Sequence, residues 1–116
     1  MNTKEIKITV ELDEQKIPSN ILWEATDSND NEPLACKAMI MAMWDQQLSN
    51  SLRLDLWTKE MPIAEMKRFY YETLMTMADS FERATGESQI CKEWRSFAHN
   101  IAEKMEVLKK EEGEEK

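Results

Sequence analysis

Few residues in this chain have the type and spacing that chemistry requires. Asp27, Asn29 and Asn31 match the opening of a calcium-binding loop of the D-x-[DN]-x-[DN] kind. The match then fails, because Glu32 stands where the sharp turn needs glycine and Ala38 where a bidentate glutamate should close the site. His99 is the single histidine, and helical spacing points it away from the apolar stripe of Phe97 and Ile101, toward solvent. Cys36 and Cys91 lie far apart, outside any CxxC or Cys/His ligand spacing, and Cys91 has no histidine nearby to lower its pKa. Gly86 and Gly113 are the only glycines, which excludes a glycine-rich phosphate loop. Carboxylates are plentiful, but none pairs with a recognisable apolar pocket. No cofactor, metal or catalytic constellation is indicated, and a non-catalytic protein is expected.

Charge and composition narrow the class further. The chain has 116 residues, 41% hydrophobic and 33% charged, with a net charge of −8. That charge repels phosphate backbones, and no basic cluster offsets it, so neither nucleic acid nor an anionic membrane surface is an expected partner. No apolar run is long enough for membrane insertion. The amino terminus alternates in polarity instead of forming a secretory signal core. Two cysteines of this spacing read as small core residues in a reducing compartment, a disulfide between them being the alternative. A cytoplasmic location is the expectation.

The elements that position these residues follow from hydrophobic period. Ile6, Ile8, Val10 and Leu12 alternate with polar residues, which predicts a one-sided strand. A second strand is expected around Ile21 to Thr26, with Ile21, Trp23 and Ala25 on one face. Residues 27–33 read as a loop by composition. Leu34 to Asp45 is ambiguous, since alanine and methionine favour helix. The convincing strand Leu52 to Trp57 and a hairpin loop at Gln46 to Asn50 favour a strand there instead. Cys36, Ala38, Ile40, Ala42 and Trp44 then share one face, and Met39, Met41 and Met43 the other.

At Pro62 the period changes. Ile63, Met66, Tyr70, Leu74, Met77 and Phe81 recur at helical spacing, and Gly86 supplies a stop. Ser88 is expected to cap a second helix with the stripe Ile90, Trp94, Phe97, Ile101, Met105 and Leu108. The predicted fold is α+β: a four-stranded antiparallel sheet followed by a two-helix hairpin packed on one face. Residues 1–108 are expected to form a single domain and 109–116 a charged tail without fixed structure. The inward set is Ile6, Ile8, Val10, Trp23, Ile40, Trp44, Leu52, Leu54 and Leu56.

On this reading the opposite sheet face carries Leu22, Met39, Met41, Met43 and Trp57, bordered by Arg53 and Asp55. Adaptable methionines with an aromatic anchor suit a protein-binding surface, either for a partner or for a homo-oligomer. The rival is a small-ligand-binding protein or hydrolase with a pocket between sheet and helices.

The run Leu-Arg-Leu-Asp-Leu-Trp-Thr-Lys-Glu-Met-Pro-Ile-Ala-Glu-Met-Lys67 and the run Met77-Ala-Asp-Ser-Phe-Glu-Arg-Ala-Thr85 resemble the gliding-motility GldC family. So do Glu5 to Glu14, Trp23 to Asp27 and the Trp44-Asp45 pair. The resemblance implies a small accessory protein of the gliding machinery of Bacteroidetes, with protein partners in that machinery. It brings no catalytic motif.

Overall fold

A computed structural model of the chain describes residues 2–27 and 32–109. The charged segment 110–116, Asn29 and Asn31 lie outside the described residues. Two compact units divide at Met61 and Pro62, the first built of strands and the second of helices.

The first unit holds β1 (Ile6–Leu12), β2 (Pro18–Ala25), β3 (Leu34–Cys36), β4 (Ala38–Asp45) and β5 (Asn50–Trp57), all paired antiparallel. The four-stranded sheet expected from the sequence is therefore two sheets, one of order β1-β2-β3 and one of β4-β5. The segment from Leu34 to Asp45 is extended, as its alternation required, but it breaks at Lys37. There the Lys37 carbonyl accepts both the backbone N–H of Thr58 (2.8 Å) and the Thr58 hydroxyl (3.1 Å). Thr58 is buried at this point. Beyond it the chain end of β5 reaches across, Lys59 N–H donating to the Pro18 carbonyl at 3.3 Å. The segment from Leu34 to Asp45 thus pairs with β2 before the bend and with β5 after it.

In the three-stranded sheet the alternation forms the expected strand faces, but Ile6 and Trp23, both expected inward, are exposed. Ile8 pairs with Trp23 and Val10 with Ile21, so these side chains share a face, with Ile21 fully buried. The β1–β2 connection is fixed by Asp13, whose Oδ1 accepts the N–H groups of Gln15 (2.8 Å) and Ile17 (3.0 Å). Its Oδ2 meets Lys59 Nζ at 2.9 Å.

The β4–β5 hairpin corrects the assignment of faces. Its loop is four residues, 46–49, one shorter than the sequence suggested, because Asp45 pairs directly with Asn50. Asp45 Oδ2 accepts the Leu48 N–H at 2.6 Å, and Ser49 takes a left-handed conformation (φ 52°) that closes the turn. One residue fewer in the loop slides the register by one, and a one-residue slip exchanges the faces. Met39, Met41 and Met43 therefore lie opposite Leu56, Leu54 and Leu52. Ile40 and Trp44, expected beside those leucines, share the other face with Asp55, Arg53 and Trp57.

The second unit is a helical hairpin, α1 (Ile63–Thr85) and α2 (Ser88–Lys104). Pro62 is the N-cap of α1 (ψ 152°) and Gly86 ends it in the left-handed region (φ 75°), its N–H bonded to the Glu82 carbonyl at 2.8 Å. The N-cap of α2 is Glu87, whose side chain makes no capping bond, and Ser88, expected as the cap, is already helical. The seam between the helices is packed by small residues: Ala78, Cys91, Ala98 and Ala102 are fully buried. Trp94 lies across it, its Nε1–H donating to the Leu74 carbonyl (2.9 Å) and its ring 5.5 Å from that of Phe81. Tyr70, Met77, Ile90 and Phe97, placed on the expected stripes, are exposed. The buried seam lies one residue further along at Ala78, Cys91 and Ala98, because four small side chains let two helix backbones approach more closely than a large-residue stripe would.

Candidate functional site

The β4–β5 ribbon carries nearly all the residues singled out for binding. Their distribution follows from the register. Met39, Met41 and Met43 form one face with Leu52, Leu54 and Leu56. Arg53, Asp55 and Trp57 form the other, joined by Ala38, Ile40, Ala42 and Trp44. Leu22 is elsewhere, on the polar face of the three-stranded sheet between Thr9 and Ala35. The seven residues expected on a single surface thus divide among three places.

The face that gains from this correction is the one with the tryptophans. Trp44 is 70% exposed and Trp57 52% exposed. They sit six residues apart in pairing position, about 20 Å along the ribbon at roughly 3.3 Å per residue. Between them the Arg53 guanidinium and the Asp55 carboxylate form a two-pronged pair, Nη2 lying 3.1 Å from both Oδ1 and Oδ2. Residues two apart on a strand share a face, which is why this pair forms at all. Trp44 is the residue that sequence reading missed. The signal was available in Asp45, whose carboxylate could cap a four-residue loop and so fix the shorter register.

The opposite face is also open toward the hairpin end, where Met43, Leu52 and Leu54 are exposed, and less so near Met39, Met41 and Leu56. Leu48 at the tip is exposed as well. Both faces of the two-stranded ribbon therefore carry exposed apolar side chains.

In the helical unit Arg95 donates through Nη2 to Asp79 Oδ1 and Glu82 Oε1, both at 2.8 Å. Arg95 and then Ser88 hold the Glu82 carboxyl below its usual range, and the two carboxylates raise the already high pKa of Arg95. Burial pushes both the Cys36 and the Cys91 thiols up, and the two cysteines are unbridged. Neither thiol therefore has the lowered pKa of a nucleophile. His99 is exposed, its Nε2 3.5 Å from Glu103 Oε2. Asp27, from the calcium-like segment, pairs with Lys4 at 2.7 Å. Among the described residues no group of His, Cys, Asp or Glu could hold a metal ion. The helical unit also has an open groove of about 480 Å³ lined by Ile63, Ala64, Lys67, Arg68 and residues 105–107. It contains one carboxylate, Glu106, and two cations, with no paired acid and base.

Residues 18–107 match the family model described as gliding motility-associated protein, GldC-like. The chain belongs to this GldC-like family. The match spans both units and includes the whole β4–β5 ribbon. No curated protein and no solved structure matches the chain. Among the described residues no helix of this GldC-like protein is long and apolar enough to cross a membrane.

Proposed function

We propose that this GldC-like protein is a non-catalytic accessory component of the gliding-motility machinery, acting as an adaptor that docks onto another protein of that machinery. The observation that carries the reading is the tryptophan face of the β4–β5 ribbon. Trp44 and Trp57 bracket Ile40, Ala42 and the Arg53–Asp55 pair on one exposed surface. Tryptophan and arginine are the residues most enriched where protein interfaces concentrate binding energy. An apolar strip with a charged pair at its centre fixes orientation as well as affinity. The family supplies the cellular process. A cytoplasmic location belongs to the same reading, on the strength of the two unbridged cysteines.

The test replaces both tryptophans, Trp44→Ser with Trp57→Ser, in gliding cells that carry the variant as their sole copy. The expected result is a folded protein at wild-type level with spreading reduced to that of cells lacking the gene. Wild-type spreading by a folded double variant would remove this face from the function.

A further inference from the structure

The backbone edge of β4 makes a separate statement from its side chains. Among the described residues, β4 has one ladder, to β5. Thr58 N–H donates to the Lys37 carbonyl across that ladder, which makes Lys37–Thr58 a hydrogen-bonded pair. Hydrogen-bonded and non-bonded pairs alternate in an antiparallel ribbon, so Met39, Met41 and Met43 also direct their N–H and C=O groups to β5. Ala38, Ile40, Ala42 and Trp44 direct theirs outward, along the free edge, where the Ala38 N–H donates to the Cys36 side chain. From Ala38 to Trp44 this edge contains no charge and no proline, the two devices that ordinarily block strand addition. The edge of β5, by contrast, carries Arg53 and Asp55.

We propose that the free edge of β4 pairs with β4 of a second copy of this chain, antiparallel and centred on Met41, to give a four-stranded sheet. A two-fold axis through such a pair keeps each face on its own side, so only residues of equal parity can be opposite. One register alone overlaps the whole uncharged stretch and also matches its charges. With Met41 facing the partner's Met41, Lys37 lies opposite the partner's Asp45 at each end of the strand. The other consequences of this register agree. The outward-directed residues pair among themselves, Ile40 with the partner's Ala42 able to exchange both backbone bonds, and Ala38 with the partner's Trp44 through the Ala38 carbonyl, its N–H being held by Cys36. Across the tryptophan face, small Ala38 then separates Trp57 from the partner's Trp44, so the large rings do not collide. The joined sheet is edged on both sides by β5 with its charges, and the pairing closes at two copies instead of propagating into a fibre. A two-stranded ribbon is marginal by itself, whereas three or more strands sharing an apolar face are stable.

This inference uses the backbone edge and stands apart from the docking face, which is read from cell spreading. Its test is the oligomeric state of the full chain by sedimentation equilibrium, with two variants. Proline at Ala42 removes an outward N–H from two pairs and leaves the β5 ladder intact. The wild type is expected to be a dimer, and Ala42→Pro a folded chain whose self-association is weaker by at least about 30-fold. Register is read by cysteine cross-linking in a Cys36→Ser background. Met41→Cys faces itself across a non-bonded pair and should form a disulfide dimer under mild oxidation, whereas Met39→Cys should not. A monomeric wild type overturns the proposal, as does a folded Ala42→Pro chain that remains dimeric. Cross-linking through Met39→Cys but not Met41→Cys overturns the register. A chain that binds a different protein through this edge while remaining monomeric also overturns it.

Discussion

Replacing Ala98 by leucine and, separately, Phe97 by alanine distinguishes the two phases in which α2 could present itself to α1. Ala98 is fully buried in the seam, beside Ala102 and Cys91. Leucine there adds three carbons to a space that has no exposed side, and overpacking of this kind costs about 1–3 kcal/mol. Phe97 keeps 60% of its surface exposed. Full burial of such a side chain stabilises by roughly 1.5–3 kcal/mol, so the buried two-fifths of Phe97 contributes only about 0.6–1.2 kcal/mol. The reverse phase, with Phe97 in the seam, makes its truncation cost about 3–5 kcal/mol. Thermal unfolding followed by circular dichroism at 222 nm resolves these values, since 1 kcal/mol is worth about 3–6 °C for a chain of this length. The expected order is a larger loss for Ala98→Leu than for Phe97→Ala. A loss of 10 °C or more (about 3 kcal/mol) for Phe97→Ala, with Ala98→Leu unchanged, would refute the small-residue seam.

Three further outcomes follow from local geometry. The Asp13 carboxyl is held low first by the Ile17 N–H and then by Lys59, and that of Glu82 first by Arg95 and then by Ser88. Both groups have folded pKa values below their unfolded ones. Their contribution is therefore complete above the ordinary carboxylate range, near pH 4, and is lost as pH falls through the folded values. Urea midpoints measured from pH 6 to pH 2 should decline below about pH 4, and Arg95→Met should flatten part of that decline. Gly86→Ala should cost about 1–2 kcal/mol, because φ is +75° and nothing lies within 4 Å of an added Cβ; a loss above 4 kcal/mol in urea unfolding would contradict pure backbone strain. Thr58→Val should cost about 1 kcal/mol by the same assay, since the Lys37 carbonyl loses the hydroxyl and keeps the Thr58 N–H.

Elements whose period is carried by the chain itself were readable from sequence. Ile6, Ile8 and Val10 alternate and pair as a strand face, and Pro62 and Gly86 bound α1 through backbone constraints that need no partner. Leu34 to Asp45 came out extended against the helical preference of alanine and methionine, because pairing with β5 outweighs propensity. What could not be read was anything fixed between elements. The hairpin register is closed by the Leu48 and Ser49 N–H groups, both donating to Asp45, and a loop one residue longer places Trp44 in the core instead of on the surface. The bend at Lys37 is set by Thr58, 21 residues away, which no local pattern reports. In the helices, alanine and cysteine have low hydrophobic weight, so the stripe of large residues overshadowed the seam of small ones that is buried.

The register of the β4–β5 hairpin decides which side chains share the candidate docking face, and proton NMR measures it directly. In an antiparallel ribbon the Cα protons of non-bonded pairs approach closely enough for a strong nuclear Overhauser effect. The geometry predicts cross-strand Hα–Hα contacts between Ile40 and Asp55, between Ala42 and Arg53, and between Trp44 and Ser51. Contacts between Met41 and Asp55 or between Met43 and Arg53 would contradict it, returning the methionines to the face of Arg53 and Trp57 and Trp44 to the face of the leucines.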